Sequence, residues 1–238
     1  MRRLSAIILC LIMSISMLFA CSPANNSQSS SNVSEKDGVL NIAGARAYES
    51  SREGASLVFD TLTELDEYYH AIPSIVSEWK AENDSKEYDL TIRDGIKFHD
   101  GTELTVDIVK WNIENGGAIN YCGYSYLLDK VEVTDKNHIK VSFTAPYLYF
   151  DRDLALVPCI KPDGYTEEGT FKDFVGTGPF KFESKNEGDV TVLIRNKDYW
   201  NTEYKTDIEK VQWYYIKDAQ TRKLALESGE ADVLGLSE

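Results

Sequence analysis

The sequence predicts a mixed α/β fold, and three local patterns carry that prediction. Tyr88, Leu90 and Ile92 alternate with Asp89, Thr91 and Arg93, the two-residue period of a half-buried strand. Val106, Val109 and Ile113 recur instead at helical spacing and line one face. In "KVEVTDKNHIKVSF" (130–143) a polar TDKN separates two alternating runs, which predicts a hairpin.

The chain opens with a different chemistry. Arg2 and Arg3 precede an apolar segment, Leu4 to Phe19, with scattered serines. The segment is shorter than the roughly 20 residues needed to span a bilayer. It suits the apolar centre of a secretory signal, so residues 1–20 are predicted to be a signal peptide. Leu18 and Ala20 ahead of Cys21 resemble the bacterial lipobox. That resemblance implies that Cys21 is lipidated and becomes the mature N-terminus. Residues 21–37 are rich in Ser and Asn and hold too little apolar surface to offset the entropy of ordering. They are expected to form a disordered lipoprotein tether. Two acyl chains anchor stably where one is marginal, so such an anchor would hold at the outer face of the bacterial cytoplasmic membrane.

The remaining residues, 38–238, are long enough for one substantial core. The chain carries 39 acidic and 25 basic residues, a net charge of -14, and loses two of its cations with the signal. Such a surface repels phosphate backbones, which argues against a nucleic-acid partner. Beyond the export segment stand only Cys122 and Cys159. Outside the cell they could pair, and the sequence leaves that open.

The elements follow in order. "GVLNIAGA" (38–45) begins as a strand, and "ASLVFDTLTEL" (55–65) carries apolar residues at helical spacing. Residues 72–105 form a strand-and-turn unit in which RDG and HDG supply turn chemistry on either side of IKF. Thr105 is the expected N-cap of the next helix, with Asp107 in its first turn and Gly116-Gly117 at its end. After the 130–143 hairpin come strands at 191–196 and 208–216. Asp218 then caps "AQTRKLALES", and Gly229 stops it.

Several motifs invite a chemical reading that their context does not support. His99 and Asp100 could serve as a base with its orienting carboxylate, or as metal ligands, but an Asp-Gly turn accounts for the pair. "GTGPF" (176–180) lacks the Lys-Ser/Thr and following helix of a phosphate-binding loop. Gly176 and Gly178 are expected to permit a tight turn with unusual backbone angles, and Pro179 to start a strand. No H-E-x-x-H, C-x-x-C or G-x-S-x-G is present, so no enzyme, catalytic residue, metal ligand or cofactor is predicted.

"SEWKAENDSKEYDLTIRDGIKFHDGTELTVDIVKWNIE" resembles the signature region of the family-5 solute-binding proteins of ATP-binding-cassette importers, which bind oligopeptides, dipeptides or nickel. The matching elements are Trp79, Arg93, Gly95, Lys97, Phe98, His99, Asp100, Gly101 and Thr105. "GTGPFKFESKNEGDVTVLIRNKDYWN" (176–201) and "TRKLALESGEADV" (221–233) match two further family blocks in order. The resemblance implies a class II periplasmic-binding-protein-like lobe, a mixed sheet flanked by helices, and a ligand held between two lobes that close like a clamp. Family members are considerably longer, with a second lobe inserted before the chain returns to the first. Residues 38–238 are therefore expected to be the N-terminal portion of the solute-binding lobe, truncated, with the second lobe missing.

Carried over by position, the cleft candidates are Tyr48 and Arg52 in the first loop, Tyr121 and Tyr124 in an aromatic stretch (120–130), and Pro158 and Cys159 in a third segment (154–162). Packing between helix and sheet is the alternative reading of the aromatic stretch. Nickel-binding members carry an arginine where Pro158 and Cys159 stand, which weakens a nickel–metallophore ligand relative to a small peptide. The expected partners are that ligand, permease subunits of an importer, and the membrane through the lipid. The alternative function is a one-lobed remnant acting as a non-transport interaction lipoprotein.

Overall fold

The computed structural model describes residues 38–48, 52–116, 122–162, 164, 171–186 and 190–235. All of them belong to the unit Asp37–Glu238. The signal and tether assignments, and Cys21, lie outside the described residues.

Two sheets organise this unit. The first has the order β11-β1-β10-β9-β8. β1 (Val39–Gly44) runs parallel to β10 (Lys210–Tyr215) on one side and to β11 (Val233–Leu234) on the other. β10, β9 (Val190–Arg195) and β8 (Phe180–Asn186) pair antiparallel, so the sheet is mixed, as expected. Successive side chains of a strand point to opposite faces. Ile42 accordingly joins an aromatic-rich core with Phe59, Phe180 and Trp213, while Ala43 faces Ala225 and Ala231 beside the C-terminal helix, α4 (Ala219–Ser228). Small residues on that second face let α4 approach closely.

α4 has the predicted ends. Asp218 Oδ1 accepts from Thr221 N at 2.8 Å, and Gly229 closes the helix at φ 75°. It is 10 residues long, and no helix among the described residues is long and apolar enough to cross a membrane.

The second sheet is antiparallel, with the order β4-β5-β7-β6. It comprises β4 (Val76–Glu82), β5 (Glu87–Ile92), β6 (Leu128–Val133) and β7 (His138–Phe143). Tyr88, Leu90 and Ile92 lie buried on one face, as their alternation predicted, together with Val131, Ile139 and Val141. The short helix α2 (Val106–Trp111) covers them with Val109, and Thr105 caps it by accepting from Ile108 N at 3.4 Å. α3 (Phe150–Asp153) adds Phe150 to the same core. A small hairpin of β2 (Thr63–Leu65) and β3 (Ala71–Pro73) completes the strands.

Three local expectations need correction. The apolar run at 55–65 is helical only to Val58, in α1 (Arg52–Val58). Leu62 N bonds Val157 O at 3.1 Å, and Val58 O accepts from Gly178 N at 2.9 Å. Tertiary partners therefore take the groups that would have continued the helix. α2 likewise stops at Trp111 and passes into a π-turn, Asn112–Gly116. Third, the 120–130 stretch holds a 3-10 turn, Gly123–Tyr126, before β6 begins. Cys122 and Cys159 are separate buried thiols that share no disulfide.

The GTGP turn also differs in its cause. Neither Gly176 nor Gly178 has a positive φ. Close approach explains them instead, since a Cβ on Gly176 would lie 1.9 Å from Val58 O, and one on Gly178 would lie 2.7 Å from Val58 O. Gly176→Ala should therefore destabilise the fold by about 1–3 kcal/mol through overpacking against backbone. For a domain of this size each kcal/mol lowers the thermal midpoint by roughly 2–4 °C. An unchanged midpoint would mean that the turn has room the geometry does not show.

Candidate functional site

Asp60 lies just beyond α1, and its carboxylate is buried. Oδ2 accepts from Thr177 Oγ1 at 2.8 Å and from Trp200 Nε1 at 2.7 Å, and Oδ1 accepts from Tyr199 OH at 2.7 Å. Burial pushes this carboxyl above its ordinary pKa, against the three donors, which pull it down. The Asp60 carbonyl also accepts from Cys159 N at 2.8 Å. One residue thus ties the end of α1 to the 176–179 turn, the Tyr199-Trp200 pair and the 157–162 segment. Arg93 stacks its guanidinium 5.4 Å from the Trp200 ring centre and donates to Ser74 O, bringing the second sheet into the same knot.

His99 joins the turn from the other side. Gly176 N donates to Nδ1 at 3.3 Å, which leaves the ring proton on Nε2 to donate to Gly178 O at 3.0 Å. Asp100 and Gly101 do form the expected turn, with Thr102 N donating to Asp100 Oδ1 at 3.0 Å and Gly101 at φ 86°. His99 itself is a cross-link between two distant motifs. Asp100 Oδ2 meets Lys161 Nζ at 2.5 Å, and that contact lowers the carboxyl pKa to about 2. The Gly176 and Gly178 amides are spent inside the protein, on His99 Nδ1 and Val58 O, so neither is free to cradle an anion.

The first loop leaves the C-terminal end of β1, where Trp213 Nε1 donates to Arg46 O at 3.1 Å. Tyr48 turns inward at 2% exposure, with its ring 5.6 Å from Phe174 and 6.1 Å from Trp213. The third segment is held by the buried amide of Asn112. Its Nδ2 donates to Ile160 O at 2.7 Å, and its Oδ1 accepts from Ile160 N at 3.2 Å. Pro158 bridges Thr61, and burial pushes the Cys159 thiol up. Tyr124 OH donates to Ile113 O at 2.8 Å, and its ring packs 5.1 Å from that of Phe150.

Tyr48, Tyr124, Pro158 and Cys159 are therefore all buried. Tyr124 and Cys159 share the core of the four-stranded sheet, whereas Tyr48 sits with Ile160 in that of the five-stranded sheet. Arg52 opens α1, but its side chain, like Tyr121, lies outside the described residues. Beside the third segment are two adjoining hollows that share Lys172, Asp173 and Val175. One, of about 420 Å³, is walled by His99, Asp100 and the stacked rings of Phe174 and Phe182. The other, of about 230 Å³, is walled by Ile160, Lys161 and Pro162. Together they have the size and mixed lining of a small-molecule site. Among the described residues no group of three or more His, Cys, Asp or Glu is placed to hold a metal ion.

Residues 70–238 match the family described as "Bacterial extracellular solute-binding proteins, family 5 Middle". The nickel-binding periplasmic protein of Escherichia coli K12 is 25% identical over 189 residues, which is 75% of this chain and 36% of that protein. A probable peptide ABC transporter periplasmic-binding protein of Sinorhizobium fredii is 28% identical over 231 residues, 85% of this chain and 41% of that one. The crystal structure of an ABC transporter substrate-binding protein from Sinorhizobium meliloti superposes with a TM-score of 0.71 at 29% identity, covering 82% of this chain and 42% of that chain. The chain thus matches less than half the length of each of these relatives.

The His99 contacts predict a pH dependence with a definite sign. Burial lowers its pKa from the ordinary 6.5, so folding favours the neutral ring. The stability this contributes is complete above about pH 6.5 and is lost as pH falls through the folded-state value. Asp60, whose pKa is raised, acts in the opposite direction as pH rises, so a difference measurement is needed. His99→Gln can donate and accept at similar places but does not titrate. Thermal midpoints of parent and variant should diverge between pH 7.5 and 5, with the parent falling faster. Parallel curves would show that the His99 proton plays no part.

Proposed function

Because this chain belongs to the bacterial extracellular solute-binding proteins of family 5, we propose that it is the lipid-anchored binding component of an ATP-binding-cassette importer for peptides or nickel complexes. The observation that carries the reading is the family match over residues 70–238, on a lobe whose mixed sheet and ordered motifs agree with it. The family relatives are binding proteins, and no catalytic residue is assigned. The solute would meet the first loop, with Arg52, and the third segment with its adjoining hollows. Tyr48, Tyr124, Pro158 and Cys159 would shape that wall from behind, through the packing described above. Cys21 would carry the lipid and place the lobe outside the cytoplasmic membrane.

A second reading, an interaction lipoprotein without transport, is favoured by one observation. Several large apolar side chains are well exposed, among them Tyr69 at 73%, Tyr126 at 80% and Leu148 at 68%. Side chains of this kind mark a docking surface where they adjoin in one patch.

One measurement separates these readings, and another tests the lipid anchor that they share. Titration calorimetry on the full chain in detergent, against di- and oligopeptides and nickel–histidine, should detect weak binding that favours peptides. Weakness is expected of residues 1–238 by themselves, because a pocket usually covers 70–90% of a small ligand and a single wall covers less. Binding of no member of the panel would favour the second reading. Separately, Cys21→Ala expressed in a bacterial host should move the chain out of the membrane fraction. A variant as membrane-bound as the parent would end the lipid assignment.

A further inference from the structure

The loop from Arg195 to Lys205 curls against Pro179 and encloses a cup of about 400 Å³. None of its lining residues belongs to the first loop or the third segment. We propose that this cup is a second binding site, for a small aromatic molecule carrying an oxyanion such as a phosphate or carboxylate.

The cup is built rather than incidental. Asn196 is 6% exposed at its base, where Nδ2 donates to Gly178 O at 3.1 Å and Oδ1 accepts from Asp198 N at 3.2 Å. Tyr199 is held by Asp60, and its ring stands perpendicular to that of Tyr204 at 5.5 Å. The two rings form a corner into which a planar group fits edge-on to one and face-on to the other. Preorganisation of this kind lowers the ordering cost of binding.

Charge selects the rest of the ligand. Arg195, Lys197 and Lys205 all line the cup in a chain whose net charge is -14. Glu209 is the carboxylate they share, 2.9 Å from Arg195 and 3.8 Å from Lys197. Lys205 donates instead to the carbonyl of Thr202. Asp198 and Glu203 belong to the same loop, but the residues that line the cup include these three cations and no carboxylate, so its wall is locally positive. Asn201 also lines the cup, with its amide oxygen accepting from Glu203 N at 3.1 Å. A ring with a charged oxygen head satisfies corner and cations together.

Phenyl phosphate is a direct probe, titrated by calorimetry into the full chain in detergent. Saturable submillimolar binding is expected, weakening as salt is raised. Inorganic phosphate and benzyl alcohol should each bind at least about tenfold more weakly, since each satisfies half of the site. Lys197→Ala combined with Lys205→Ala should weaken phenyl phosphate by about tenfold or more. Glu209→Gln should strengthen it by removing the competing carboxylate. Lys197 is 79% exposed, so the lysine variant should melt as the parent does. The proposal is overturned if phenyl phosphate does not saturate, if inorganic phosphate binds equally well, or if the lysine variant binds like the parent. It is also overturned if a peptide or nickel–histidine competes with the probe, because the site would then be the solute face already proposed.

Discussion

A buried carboxylate must be hydrogen-bonded or its desolvation cost goes uncompensated, and in this protein that demand falls on Asp60. Its partners Thr177, Tyr199 and Trp200 are 117, 139 and 140 residues away in sequence. No single hydrogen bond to Asp60 is unusual. What matters is that all three must form together, since any one left out strands charge in an apolar surrounding. The GTGP turn and the Tyr-Trp pair therefore take their positions from one side chain, and the third segment bonds the carbonyl of the same residue. His99 repeats the device from the neighbouring turn and holds the same glycines on their other flank. Blocks of sequence that look like independent motifs are thus parts of one knot.

The secondary structure was legible wherever a local pattern coincided with one-sided burial. The alternation of Tyr88, Leu90 and Ile92 survives because one face of β5 meets a core and the other meets water. The caps at Thr105 and Asp218 are read from adjacent residues, so no distant partner is needed to see them. Legibility failed where tertiary partners overrode the local preference. Residues 59–65 keep the apolar spacing of a helix, yet Val157 and Gly178 claim the backbone groups that the helix would need. The π-turn after Trp111 follows the same logic, with Asn112 spending its amide on Ile160 instead of on solvent.

The site was less legible than the fold. Position along the chain located the segments, but it could not say which way a side chain turns once there. Tyr48 meets Trp213 because Gly44 and Gly54 leave room for the rings, a relation between residues far apart in sequence. Asp60 and Asn112 carry no local mark that separates them from a surface Asp or Asn. Their only signal is burial, which becomes visible when the sheets are assembled. His99 illustrates the mixed case. The Asp-Gly that follows it is a readable turn, while its two bonds to the 176–178 glycines depend on a partner about eighty residues on.

The placement of β1 has a consequence for how the chain reaches its native state. This first strand is central, parallel to β10 on one side and β11 on the other, and Asn41 bonds the Asp232 carboxylate across 191 residues. Its neighbours are therefore synthesised long after it. Of the four strands between Val76 and Phe143, β4 with β5 and β6 with β7 are joined by short turns, and all four can pair once Phe143 has emerged. The five-stranded sheet must wait until β10 and β11 have been made, and contacts of such separation form slowly. Until then β1 lacks both of its neighbours, and its backbone hydrogen-bonding groups stay open to water.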